Sequence, residues 1–262
     1  MYPILIRTPW LDLHTYGVLV AAGFLIGLAV AAHNAKREGL ASDRIADLGL
    51  WLIVAGMAGG KLFHVVFFWN DFIAGWHADG IRSLREGFVF YGGFIGATVA
   101  ASAFTRIKHL PFSKIADACA PGIALGHAFG RMGCFFNGCC YGKPCSLPWA
   151  VRFPPPHLMA GIPVHPTEIY EALGNVAIFL GLTVYYRRKR FDSQIWWLYV
   201  LSYGVLRFVI EFFRGDYGTY YLGVFTLGHA IAAIMVIIAL VALARHVTPF
   251  SPQVDTSKRK SQ

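Results

Sequence analysis

Ionisable side chains interrupt several long apolar stretches of this chain. A charged group is costly in the hydrocarbon of a bilayer, so residues of this kind are functional candidates by default. They are Lys61, His64, Asp117, His127, Arg131, Glu171, Arg207 and Glu211. Ion pairs that only hold helices together are the alternative interpretation. The number of these groups, and the position of most of them near the outer ends of their stretches, favour a polar site.

Two arginines and a glutamate near the end of one apolar stretch have helical spacing. Glu211 lies four residues after Arg207, and Arg214 lies three residues after Glu211. Residues three and four apart lie on the same face of a helix, so this stripe is predicted to line a polar cavity. Arginine suits an anion in such a cavity, because its planar fork can bind two phosphate oxygens at once.

Four of the five cysteines lie close together, in the pattern Cys134-x4-Cys139-Cys140-x4-Cys145. The pattern allows disulfides in an oxidising compartment. It also allows packed free thiols, or a metal site completed by His157 or His165. The spacing differs from the CxxC knuckles of most zinc sites. We therefore assign no metal and predict a structural rather than a catalytic role for the cluster.

The elements that position these residues are long apolar segments. Hydrophobic residues make up 56% of the 262-residue chain and charged residues 14%, against about 45–50% and about 25% in soluble domains. About 20 apolar residues cross a bilayer as a helix. The fold class predicted is all-α, a polytopic membrane helix bundle of about seven transmembrane helices. The predicted spans are Tyr16–Ala35, Ile45–Trp69, Phe88–Thr105, Ile115–Phe136, Ile169–Tyr186, Ile195–Phe213 and Gly223–Ala244.

The formal charge of +9 is explained by the loops between these spans. Lys and Arg concentrate in alternate loops and in the tail, which predicts an N-terminus outside and a C-terminus in the cytoplasm. Residues 1–250 are expected to form a single domain, followed by a disordered cytoplasmic tail at 251–262. Basic loops of this kind contact anionic membrane lipids. Nucleic acid is not an expected partner.

Six motifs follow one another along the chain at the ends of the predicted spans. They are His14-Thr15-Tyr16-Gly17, Gly59-Gly60-Lys61, Phe90-Tyr91-Gly92-Gly93, Gly130-Arg131-Met132-Gly133 with the following Cys134 to Gly138, His165-Pro166-Thr167-Glu168-Ile169-Tyr170-Glu171, and Tyr203-Gly204-Val205-Leu206-Arg207 through Glu211 to Arg214. In this order and topology, the series resembles the prolipoprotein diacylglyceryl transferase family from the first span to the last.

The resemblance implies an enzyme of the bacterial plasma (inner) membrane. It would move the diacylglyceryl group of phosphatidylglycerol to the thiol of the lipobox cysteine in the signal peptide of a preprolipoprotein. This is the first step of lipoprotein maturation, and it releases glycerol phosphate without a cofactor or a metal.

The resemblance also implies roles for individual residues. The catalytic residues it suggests are Arg131, Arg207, Tyr91 and Glu211. The substrate-binding residues it suggests are Tyr16, Gly92, Gly93, Asn137, His165, Tyr170, Glu171 and Arg214. The arginines would hold the lipid phosphate, and the glutamates would keep the arginines in place.

Two motifs depart from the family pattern. Tyr91 stands where the family has the histidine of its His-Gly-Gly motif, and cysteines stand at positions 134 and 139, where the family has Asn and Glu. The chain is therefore expected to belong to a cysteine-bearing, divergent branch. A paralogous enzyme with another acceptor, or a membrane transporter, are the alternative functions.

Overall fold

The computed structural model describes residues 4–7, 12–85, 87–216 and 225–247. Within these ranges the chain is mainly helical, as predicted. The helices are α1 (Thr15–Arg37), α2 (Ser42–Phe67), α3 (Trp69–Asp79), α4 (Phe90–Ile107), α5 (Phe112–Asn137), α6 (Thr167–Tyr185), α7 (Gln194–Glu211) and α8 (Leu227–Val247). Two short antiparallel pairs accompany them, β1 (Ile4–Arg7) with β2 (Asp12–His14), and β3 (Val151–Arg152) with β4 (Pro163–Val164).

Four helical segments are long and apolar enough to cross a membrane: Thr15–Arg37, Ser42–Phe67, Thr167–Arg188 and Leu227–His246. This makes the chain a multi-pass membrane protein built as a helix bundle. The other three predicted spans correspond to α4, α5 and α7, which are shorter or carry more charge, so the total of seven stays a prediction. The predicted tail at 251–262 lies outside the described residues.

The sequence did not predict α3. The second predicted span was drawn to Trp69, because the apolar and aromatic residues continue past Phe67. In the structure α2 ends at Phe67, and the backbone leaves the helical region at Phe68 (φ −124°, ψ 45°) before α3 begins at Trp69.

Glycines bring α1 and α5 into close contact along their length. A Cβ atom at Gly122 would lie 2.2 Å from the carbonyl oxygen of Gly27, and one at Gly23 would lie 2.9 Å from that of Gly126. Small residues let the backbones of membrane helices approach in this way. The same device joins α2 to α4, where a Cβ atom at Gly92 would lie 2.5 Å from the carbonyl oxygen of Gly59.

The end of the bundle that contains the start of α5 is held by a charged network. The Lys189 ammonium group lies 2.7 Å from Glu38 and 3.0 Å from Asp117. Burial alone would lower the pKa of Lys189, but its hydrogen bonds to these carboxylates outweigh burial and raise it. Asp117 also accepts hydrogen bonds from the backbone N–H groups of Ser193 and Trp196. A residue of α5 thereby caps the first turn of α7 and fixes the register of the two helices.

Candidate active site

Arg131 and Glu171 meet at the opposite end of the bundle. Arg131 lies in the last two turns of α5, and Glu171 lies in the second turn of α6. The Nε atom of Arg131 is 3.1 Å from Oε2 of Glu171, whose side chain is only 2% exposed. The same Nε atom also lies 3.3 Å from Nε2 of His127, one turn earlier on α5. The contact joins two helices at a buried position.

Arg207 and Glu211 extend this pair onto α7. Nη2 of Arg207 lies 2.6 Å from Oε2 of Glu211, and Nη1 lies 3.8 Å from Oε2 of Glu171. Glu211 is fully buried and accepts a hydrogen bond from the hydroxyl of Thr226, which precedes α8. Arg131, Glu171, Arg207 and Glu211 therefore form one continuous chain of ion pairs across three helices, hereafter the ion-pair chain.

The ion-pair chain is electrically balanced. Two guanidinium groups face two carboxylates in a site from which most solvent is excluded. Each carboxylate keeps its arginine in place and occupies positions that the oxygens of another anion could take. Such a site can receive a phosphate group by exchange, with the donors already oriented by their present partners.

Tyr203 was not assigned to this site from the sequence, and His127 was named only as one of the ionisable candidates within the spans. The hydroxyl of Tyr203 donates a hydrogen bond to Oε1 of Glu171 over 3.3 Å, and its ring lies 4.9 Å from that of His127. Tyr203 precedes Arg207 by four residues, and His127 precedes Arg131 by four. This helical spacing is the signal that could have placed both on the faces of the two arginines.

Arg214 serves a different contact at the same end of the molecule. Its guanidinium group hydrogen-bonds the carboxylate of Asp216 over 2.9 Å through Nε, and its backbone forms a bridge with Gly142. Gly142 belongs to the long connection between α5 and α6. Arg214 thus ties this connection to the end of α7, beyond the last residue of the ion-pair chain.

His165 and Tyr170 lie in the same region, just before α6 and within its first turns. Nδ1 of His165 is 3.3 Å from the Tyr170 hydroxyl, which also accepts a 2.7 Å hydrogen bond from the indole N–H of Trp149. Partial burial lowers the pKa of His165, which favours the neutral form of its imidazole. Through Trp149, this pair links the segment between α5 and α6 to α6, the helix that carries Glu171.

Tyr16 and Asn137 also lie at this end of the bundle, on α1 and on the last turn of α5. A Cβ atom at Gly133 would lie 3.1 Å from the ring of Tyr16, so the tyrosine packs against the turn of α5 that follows Arg131. Asn137 is exposed, and its side chain interacts with the thiol of Cys139.

An apolar cavity of about 400 Å³ adjoins the ion-pair chain between α7 and α8. Its lining includes Phe208, Phe225 and Leu227 together with Thr226 and His229. Thr226 is the residue that hydrogen-bonds Glu211. A charged site and an apolar space therefore lie side by side, as an amphipathic ligand requires.

Comparisons with known proteins identify one family. A sequence model of the family described as "Prolipoprotein diacylglyceryl transferase" matches residues 3–245. A protein of Finegoldia magna named phosphatidylglycerol–prolipoprotein diacylglyceryl transferase is 34% identical over 232 residues, which cover 88% of this chain and 90% of that protein. A Clostridium tetani protein of the same name is 34% identical over 82% of this chain and 86% of its own length.

This chain belongs to the prolipoprotein diacylglyceryl transferase family. A third relative with the same name, from Thermosynechococcus vestitus, is 35% identical over 79% of each chain. The resemblance seen in the sequence motifs is confirmed by these matches.

Tyr91, where the resemblance implies a histidine, is on α4, which packs against α2, and the residue is 62% exposed. The neighbouring Gly92 and Gly93 face Gly59 and Gly56 of α2, where added Cβ atoms would lie 2.5 and 3.2 Å from carbonyl oxygens. Their position serves helix packing, and their roles in binding and catalysis stay predictions.

The cysteines at and after the end of α5 are not joined by disulfides in the structure. Cys134 is in the last turn of α5, and Cys139 and Cys140 follow the helix end. The described residues contain no disulfide, and the sulfur positions are compatible both with packed free thiols and with a metal site, because the sulfur atoms of these three cysteines lie within 4.8 Å of one another.

Proposed function

We propose that this protein transfers the diacylglyceryl group of phosphatidylglycerol to the cysteine thiol of a prolipoprotein. The observation that carries the proposal is the buried ion-pair chain, which presents two arginines from α5 and α7 at one end of a membrane helix bundle. The printed names of the relatives describe this donor and this acceptor.

The reaction is a displacement at a glycerol carbon. The acceptor sulfur attacks the carbon that bears the phosphate, a C–S bond forms, and the C–O bond to the phosphate breaks. The electron pair leaves with glycerol phosphate, and the thiol proton passes to solvent or to the leaving phosphate. Negative charge therefore grows on a phosphate oxygen as the bond breaks.

Arg131 and Arg207 meet the needs of this step. Two guanidinium groups, both bound to Glu171, can hold the phosphodiester and stabilise the charge that grows on its leaving oxygen. A cationic surrounding also favours the thiolate form of the acceptor cysteine, whose ordinary pKa is about 8.5. Glu171 and Glu211 position the arginines, and the apolar cavity beside Thr226 offers space for an acyl chain.

The proposed setting is the bacterial plasma membrane, with seven spans, an outward N-terminus and a cytoplasmic C-terminus. The ion-pair chain then lies near the outer surface, where a signal peptide with its lipobox cysteine is presented. The basic loops at the other end, such as residues 187–190, would contact anionic lipid head groups.

A lipidation assay tests the proposal. Purified protein is incubated in detergent with phosphatidylglycerol and a lipobox peptide, and the peptide is analysed by mass spectrometry. We expect a gain equal to one diacylglyceryl group, with release of glycerol phosphate in equal amount. A peptide whose cysteine is replaced by serine is the matched control and should remain unmodified.

Tyr91, where the resemblance implies a histidine, motivates one alternative, a paralogous enzyme with a different acceptor. That enzyme would need its own acceptor, so a second arm of the assay adds a detergent extract of bacterial membranes. Release of glycerol phosphate in the second arm only, with the lipobox peptide unmodified, would favour the paralogous enzyme. No release of glycerol phosphate in either arm would contradict both functions.

A further inference from the structure

Three cysteines at the end of α5 form a cluster that the transfer reaction proposed above does not use. The sulfur atoms of Cys134, Cys139 and Cys140 all lie within 4.8 Å of one another, and the three residues are partly buried. We propose that these thiols bind one zinc ion as thiolates, at the junction between α5 and α6. The site does not depend on the function proposed for the ion-pair chain.

The helix end explains how an unusual sequence spacing makes the cluster. Gly138 follows α5 in the left-handed conformation, with φ +75° and ψ 32°. The N–H of Gly138 donates a hydrogen bond to the carbonyl oxygen of Phe135, and the N–H of Cys139 donates one to the carbonyl oxygen of Cys134. These are the two hydrogen bonds of a Schellman motif, which folds the chain back over the last helical turn. This fold of the chain brings the side chains of Cys139 and Cys140 close to that of Cys134.

The sulfur positions fit a tetrahedral ion closely. Zinc–sulfur bonds of about 2.3 Å place two thiolates of a tetrahedral site about 3.8 Å apart. The present limit of 4.8 Å means that no pair has to approach by more than about 1 Å, the difference from that tetrahedral spacing. Side-chain rotation at the turn can supply this movement without a change in the helices.

A buried carboxylate beside the cluster favours a bound cation. Glu168 is 1% exposed, and neither of its carboxylate oxygens has a hydrogen-bond partner among the described residues. Glu168 lies close enough to Cys139 and Cys140 to interact with them electrostatically.

A buried carboxylate without a donor is costly, and a nearby cation would offset that cost. Glu168 begins the buried face of α6 next to Thr167, whose hydroxyl donates a 2.8 Å hydrogen bond to the carbonyl of Cys140. Glu168 is not within 4.8 Å of all three sulfur atoms, so it is the candidate acceptor of a hydrogen bond from a zinc-bound water that fills the fourth position.

The two histidines that the sequence suggested as metal ligands have other contacts. Nδ1 of His165 lies near the Tyr170 hydroxyl, as described above. His157 donates from Nε2 to the carbonyl of Gly138 over 2.7 Å, and its Nδ1 accepts from the N–H of Met159 over 2.9 Å. Both ring nitrogens are thus used to hold the turn that forms the cluster. Cys119 and Cys145 lie outside the three-sulfur group, which makes them matched controls.

Metal binding is measured on the full chain, purified in detergent with a reductant. The protein is incubated with Zn²⁺, freed of excess metal, and analysed for zinc per chain. A parallel sample with Co²⁺ is examined for a thiolate-to-cobalt charge-transfer band. The variants are Cys139→Ser and Cys134→Ser, with Cys119→Ser and Cys145→Ser as controls, and gel filtration checks that each is folded.

We expect one zinc per chain and the charge-transfer band in the parent protein and in both controls. In Cys134→Ser and Cys139→Ser the zinc affinity should fall at least about tenfold, and the band should be lost. Absence of the band in the parent, or equal zinc binding by the two cluster variants, would overturn the proposal. Neither readout requires transfer activity, so failure of the proposed function would leave this test intact.

Discussion

At the scale of single residues, the ion-pair chain depends on Glu171. It is the only carboxylate among the described residues that contacts both Arg131 and Arg207. Its present role is to hold the two guanidinium groups near each other, and it also competes with a phosphate for their hydrogen bonds. These two effects act on different kinetic constants.

Replacement of Glu171 by Gln separates the two effects. We expect kcat for transfer to fall at least about tenfold, which is about 1.4 kcal/mol of transition-state stabilisation. The KM for phosphatidylglycerol should not rise, because one competing anion is removed from the arginines. Steady-state kinetics with the lipobox peptide measure both constants. A rise in KM at unchanged kcat would contradict the positioning role.

The cysteine cluster gives a second prediction at this scale. Cys139→Ser should retain measurable transfer, because the ion-pair chain is built without thiols. Cys145→Ser is the control on the same connection. Complete loss of transfer by a correctly folded Cys139→Ser protein would assign the thiol to catalysis instead.

At the scale of elements, glycine contacts set how closely the helices approach. Gly122→Ala places a methyl group 2.2 Å from the carbonyl oxygen of Gly27, so α1 and α5 must separate. We expect the free energy of unfolding to fall by about 1–3 kcal/mol, as overpacking usually costs. Thermal unfolding in detergent measures the change.

Gly181→Ala is the matched control for this prediction. It also lies within a helix, and an added Cβ atom there meets nothing within 4 Å. Alanine is the better helix former, so stability should stay the same or rise by up to about 1 kcal/mol. Equal destabilisation by both substitutions would show that close approach of α1 and α5 is not the cause.

Asp117 connects α5 to α7 at the end of the bundle away from the ion-pair chain. Asp117→Asn weakens its contact with Lys189 and the cap on α7, and we expect a loss of about 1–3 kcal/mol in unfolding free energy. Transfer per folded molecule should be unchanged, since 14 residues of helix, about 21 Å, separate Asp117 from Arg131. The exposed Asp47→Asn is the control. A loss of transfer equal to that of the Glu171 variant would contradict this separation.

The sequence predicted the contacts of the site that lie within a single helix. The four-residue spacing of Arg207 and Glu211 predicts a shared face, and the structure has their ion pair at 2.6 Å. The contact of Arg131 with Glu171 joins residues 40 positions apart. No local pattern predicts it, because it depends on how α5 and α6 pack. The Schellman turn at Gly138 was likewise hidden by a spacing that matches no standard metal motif.

At the scale of the whole molecule, the two ends of the bundle differ in chemistry. The ion-pair chain and the cysteine cluster lie at one end, and the Lys189 network with the basic segment 187–190 lies at the other. The proposed orientation places the first end outside. It predicts that a reporter fused after Asp192 reports the cytoplasm and that one fused after Leu158, which is 85% exposed, reports the outside. A reporter outside after Asp192 and in the cytoplasm after Leu158 would contradict the proposed orientation.

The central claim is that Arg131 and Arg207 bind the lipid phosphate as planar, two-pronged donors. The most direct measurement is the rate of diacylglyceryl transfer by Arg131→Lys and Arg207→Lys, with the exposed Arg152→Lys as control. Lysine keeps the charge and can satisfy an ion pair with Glu171 or Glu211, but it cannot make two parallel hydrogen bonds to phosphate. We predict folded proteins in which transfer falls about a hundredfold, or roughly 2–4 kcal/mol. Near-normal transfer by both variants would contradict the claim and leave the ion-pair chain a purely structural feature.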